Sequence, residues 1–137
     1  MKRTTTILVA VTALALMWSA AASAHHSVEG TFQMDQTITL QGTITVLTIR
    51  NPHSFITIEA KDASGRITSW SVEWVGAAQL KDEGVTESTF KAGDQVTLVG
   101  AAARDNTSQK VLLRELARPS DGFRWLGTSK DFLPPQR

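Results

Sequence analysis

Three histidines carry the coordination chemistry open to this chain. His25 and His26 are adjacent, and His53 lies within Arg50-Asn51-Pro52-His53-Ser54-Phe55. There is no cysteine and no tyrosine. Thiolate metal sites, iron–sulfur clusters and cysteine nucleophiles are therefore excluded. Imidazole nitrogens bind borderline metals, and a nitrogen-rich set suits Cu(II) first, with Ni(II) or Zn(II) behind it. A chain cut before His25 would present that residue's α-amine and imidazole as one chelate. A further imidazole, from His26 or His53, would complete a three-nitrogen set. Ligating imidazoles are oriented through their second nitrogen. Asn51 and Glu73 are the candidate orienting residues, and Phe55 is a candidate for the ligand face. Ser27 and Ser54 lie beside histidines, but no Gly-x-Ser-x-Gly elbow exists to make either a nucleophile. Glu59, Asp62 and Glu73 sit on ordinary strand and turn surface and do not read as a catalytic carboxylate pair.

The cut before His25 is what the N-terminus predicts. Lys2 and Arg3 form a basic start, Ile7 to Trp18 an apolar run broken only by Thr12, and Ser19 to Ala24 a run of small residues. Ala22-Ser23-Ala24 has the form of a signal-peptidase site. The apolar run is short for a bilayer, which needs roughly 20 apolar residues. The expectation is a cleaved signal peptide over 1–24 and a periplasmic or secreted chain with no transmembrane segment. Removing 24 of the 137 residues leaves 113, enough for one domain with one core. It also removes two of the 14 basic residues, so 12 face 13 acidic ones, a net of −1. No run of Lys or Arg remains, and a nucleic-acid partner is not expected.

These side chains need a scaffold, and the scaffold reads as β. His25 to Asp35 has no strong periodicity and reads as part of an extended arm, 25–36. At roughly 3.3 Å per residue such an arm is long enough to bring its start to His53. From Thr37 the pattern alternates, with Ile38, Leu40, Gly42, Ile44 and Val46 on one side and threonines and Gln41 on the other. Period two with β-branched residues predicts a half-buried strand. Gly42 is the expected place for a bend or bulge. Asn51-Pro52 ends that strand, since proline has no N–H for a ladder bond.

A second strand follows, with Ile56, Ile58 and Ala60 on one face and Phe55, Thr57 and Glu59 on the other. Asp62 to Gly65 reads as a hairpin turn. Ile67 to Val75 reads as a third strand, with Trp70, Val72 and Trp74 alternating against Ser71 and Glu73. If the apolar faces share the core, His53 and Glu73 come near each other on the outer face. Gly76 to Gly84 predicts a short helix. Gln95 to Gly100 and Val111 to Ala117 are the last two predicted strands. Residues 119–137 read as a C-terminal tail whose Phe123 and Trp125 are expected to cap the core.

Three strands, one short helix and two strands is the order of an OB-like barrel. The fold class expected is mainly β, a small OB-like five-stranded antiparallel barrel over 37–118 with the helix between strands 3 and 4. A closed barrel also protects its edges in an exported domain without disulfides.

The chain resembles the exported bacterial family known as domain of unknown function 6152. The residues that carry the resemblance are Ala24-His25-His26-Ser27, Thr39-Leu40-Gln41-Gly42-Thr43, Asn51-Pro52-His53-Ser54-Phe55, Trp70 with Glu73, Lys91-Ala92-Gly93-Asp94-Gln95-Val96-Thr97, and Arg104-Asp105. The Asn-Pro-His element and the His-His start are its specific parts. The chain departs from the family's pattern at Ile49 and Val85, where tryptophan is common, and at Ala101, where many members have histidine. The resemblance implies a compact exported domain and brings no activity with it.

The reading is an exported, periplasmic binding protein rather than an enzyme, using His25, His26 and His53 for Cu(II) or another divalent metal. Two alternatives stay open. One is a metal-free OB-like module that captures a small ligand or a periplasmic protein. The other is a copper-dependent redox enzyme.

Overall fold

The computed structural model describes residues 28–62 and 64–127. By its contacts the chain divides between Thr31 and Phe32. Residues 28–31 of the first unit are described and are helical. The extended conformation expected for the arm does not hold there; four residues are too few to display a helical period. The signal peptide expected over 1–24 lies outside the described residues, as do His25 and His26.

The second unit contains β1 (Ile38–Thr48), β2 (Ser54–Lys61), β3 (Ile67–Trp74), the helix α1 (Ala77–Asp82), β4 (Gln95–Ala102), β5 (Lys110–Arg118) and β6 (Phe123–Leu126). β1 pairs with β2 and β4, β2 with β3, and β4 with β5, all antiparallel. A pairing of β3 with β5 closes these five strands into a barrel. The short helix falls between β3 and β4, as the OB-like order requires.

Two features differ from the expectation. The closing contact is parallel, with Ser71–Glu73 beside Lys110–Leu112. The tail also supplies a sixth strand: Phe123–Leu126 pairs antiparallel with Glu115–Arg118 of β5. Four residues next to a turn are too short to show a period. The strand is held by Trp125, which is buried and meets Trp74 edge-on at 5.2 Å between ring centroids.

The core is built by the alternating residues. Ile56, Ile58, Val72, Leu98, Val111 and Leu113 are fully buried, and Trp74 packs in the same cluster. Trp70 is half-buried and packs against the same core.

β1 is the strand on which both halves of the barrel meet. Gly42 and Thr43 have partners on both edges, Ala60 and Glu59 in β2 and Val96 and Gln95 in β4. The break in its period is at Thr45 rather than Gly42, because the register shifts between Ile44 and Val46. The extra residue reverses the faces. Val46, inward by simple alternation, is 53% exposed, and Leu47 and Ile49 pack on the core instead. Thr45 Oγ1 donates to Thr57 O at the break.

A smaller apolar group lies outside the central core: Phe32, Ala101, Ala103 and Leu112 are each at most 5% exposed. Phe32 bridges Ala103, and Gln33 N donates to Ala102 O. Arg114 adds hydrogen bonds to Met34 O and Thr37 Oγ1. Residues 32–37 are thereby fixed to β4 and β5.

Arg118 ties the far end of β5 to the segments around it. Its guanidinium donates to Thr89 O and Asp94 Oδ2, each at 2.6 Å, and to Asp121 Oδ2 at 2.8 Å. It also lies 4.7 Å from the Phe90 ring centroid.

Candidate functional site

The β1–β2 connection carries the site. Hydrogen bonds hold it at three points. Ser54 is fully buried at an inward position; its Oγ donates to Arg50 O at 3.2 Å and accepts from Arg50 N at 3.3 Å. Ser54 N donates to Val75 O, and Ala77 N donates to Arg50 O. Asn51 Oδ1 accepts from Ala78 N at 3.2 Å. The Asn51–Pro52 peptide is cis.

Asn51 thus performs the task of a helix cap from a distant part of the chain. The first N–H groups of a helix have no partner within it. Gly76 precedes α1 and has no side chain to supply one. Its bareness is also required sterically, since a Cβ at Gly76 would lie 2.6 Å from Pro52 O and 2.9 Å from Asn51 Oδ1. Asn51, expected from sequence beside the histidine, meets the helix through its side-chain oxygen. Asn51→Ala is expected to destabilise the domain by about 1 kcal/mol, the usual worth of a cap. Urea unfolding should show this, with Asn51→Asp retaining most of the stability.

His53 follows directly and meets Glu73 on β3. His53 Nδ1–H donates to Glu73 Oε1. The partner is a carboxylate oxygen, which accepts, so in the neutral ring Nε2 is the nitrogen that carries the lone pair. The His53 side chain is 46% exposed and that of Glu73 22%. Nε2 belongs to a ring that is fixed at one end and open to solvent. Phe55 is the cross-strand partner of Glu73 and is half-buried. The Arg50 guanidinium lies 5.2 Å from its ring centroid. The surface around His53 therefore combines an anchored imidazole, a carboxylate, an aromatic face and a cation.

The structure brings His53, Glu73 and Phe55 together. His25 and His26 lie outside the described residues. Among the described residues, no three His, Cys, Asp or Glu side chains gather in a way that could hold a metal ion. Within that part of the chain, His53 offers one imidazole donor. The supporting roles of Ser54, Gly76 and Arg50 were not read from sequence. Ser54 had a signal, a polar residue at an inward strand position. Gly76 had one also, a glycine just before a predicted helix. Neither signal named the partner.

The family model described as "Family of unknown function (DUF6152)" matches residues 13–111. That span includes every strand through β4, the Asn-Pro-His element and Glu73. No curated protein and no solved structure matches the chain. No helix among the described residues is long and apolar enough to cross a membrane.

Proposed function

We propose that this chain, which belongs to the DUF6152 family, is an exported metal-binding domain that takes Cu(II) through imidazole nitrogen. His53 Nε2 is the donor among the described residues, and His25 and His26 are the chain's other imidazole candidates. Export with cleavage after Ala24 would add the α-amine of His25. The single observation that carries the reading is the His53–Glu73 hydrogen bond. A carboxylate on the second ring nitrogen fixes the tautomer, aims the lone pair outward and makes the ligating nitrogen more basic. Bound there, Cu(II) would supply a Lewis-acidic centre. The protein's own part is to fix the ring: Asn51 and Ser54 hold the loop, and Glu73 holds the imidazole.

Cu(II) titration of the processed chain tests this. His53→Ala should lower affinity by tenfold or more. Glu73→Ala should lower it by about tenfold, the usual scale for losing such an orienting partner. Thr57→Ala, further along β2, should leave it unchanged. Equal affinity in the parent and in His53→Ala would remove His53 from the site.

A further inference from the structure

β1 has ladder partners on both edges only where its two pairings overlap, at Gly42 and Thr43. Its first part, Ile38–Gln41, pairs with β4 alone. Among the described residues, no backbone partner is found for this stretch on the edge that turns toward β2. N–H and C=O groups alternate in direction along a strand, so half of those in Ile38–Gln41 point away from β4. A groove of about 690 Å³ lies against this part of β1 and is shared with β2. Buried Leu40, Gly42 and Ala60 line it together with exposed Gln41, Glu59 and Lys61. Ile67, 69% exposed, lies at its rim.

We propose that this groove binds an extended peptide segment of a partner protein, added as a strand along Ile38–Gln41, where β1 has no β2 ladder partner among the described residues. The chemistry of the wall selects this occupant. A row of main-chain donors and acceptors at strand spacing is matched by another backbone and is the basis of strand addition. The side-chain complement fits as well. Glu59 and Lys61 point to the same side of β2 two residues apart, and they favour a segment with a basic and an acidic residue at alternate positions. Ile67 offers apolar contact to one side chain between them. The groove residues are distinct from His53 and its neighbours, so the inference does not depend on metal binding.

The test uses the processed chain and a short capped peptide of alternating Thr and Val, with one Lys and one Glu. Amide exchange and NMR shifts are followed with and without saturating peptide. Protection of backbone amides within Ile38–Gln41 should rise at least tenfold, and shifts should cluster at 38–42 and 59–61. N-methylation of alternate peptide amides should weaken binding by tenfold or more, since it removes the ladder donors. Gln41→Trp, on the exposed face of β1, should fill the groove and weaken binding similarly while keeping the parent unfolding midpoint. Absent protection at saturation, protection confined elsewhere, or equal binding of the N-methylated peptide would overturn the proposal. So would protection of Ile38–Gln41 that rises with protein concentration alone, since the occupant would then be a second copy of this chain.

Discussion

Arg118→Ala should destabilise the domain by about 3 kcal/mol, the lower end for breaking a largely buried ion pair. For a domain of this size the unfolding temperature should fall by roughly 10–15 °C. The Arg118 side chain is 15% exposed and that of Asp94 12%, so removing the cation leaves Asp94 poorly solvated and unpaired. The change also strips the donor from Thr89 O and the cation from over the Phe90 and Phe123 rings. Arg118→Lys should recover only part of the loss, because an ammonium cannot reproduce the guanidinium fork.

The same cluster sets an acid limit. Burial alone would raise the Asp94 carboxyl, but hydrogen bonds from Arg118 and the Lys91 N–H hold it below its ordinary 3.8. The Arg118 hydrogen bond holds Asp121 below 3.8 as well. A depressed carboxylate contributes stability that is complete above its unfolded value and lost as pH falls through its folded value. The parent should therefore lose this contribution only below about pH 3.8. Arg118→Ala, lacking the cause of the depression, should show a smaller acid-dependent loss. Thermal unfolding of both proteins across that range measures each effect.

Gly42→Val is the second large effect. A Cβ at Gly42 would lie 2.5 Å from Glu59 O and 3.1 Å from the Ala60 Cβ. The nearest obstacle is backbone, and β1 is held there from both edges, so neither side yields without breaking a ladder. Overpacking a close-packed site costs about 1–3 kcal/mol, and the upper figure applies where main chain must shift. The urea midpoint should fall accordingly with little change in slope. A midpoint equal to the parent's would contradict the close approach of β1 to β2.

The period-two segments were readable because burial on one face imposes alternation, as at Ile56, Ile58 and Ala60 or at Val72 and Trp74. The pairing of His53 with Glu73 followed from the same rule, since both stand opposite inward apolar sets. Thr45 escaped it. A bulge needs no glycine or proline, and threonine fits a regular strand equally well. Gly42 was singled out for a bend, yet its reason is the proximity of β2, a tertiary fact absent from local sequence. β6 was missed for a related reason: its stability comes from Trp125 against Trp74, not from its own four residues. Asn51 reads in sequence as part of the histidine's surroundings, while its side-chain Oδ1 also serves a helix residue 27 positions away.

The most direct test of the metal-binding account is a Cu(II) titration followed by paramagnetic resonance. It compares the processed chain beginning at His25 with a control carrying one extra residue before it. The account predicts tight one-to-one binding with nitrogen couplings, and weaker binding with altered couplings when the extra residue blocks the His25 amine. Weak binding, or identical affinity and spectra for the two chains, would contradict it and return the histidines to the roles of surface and turn residues.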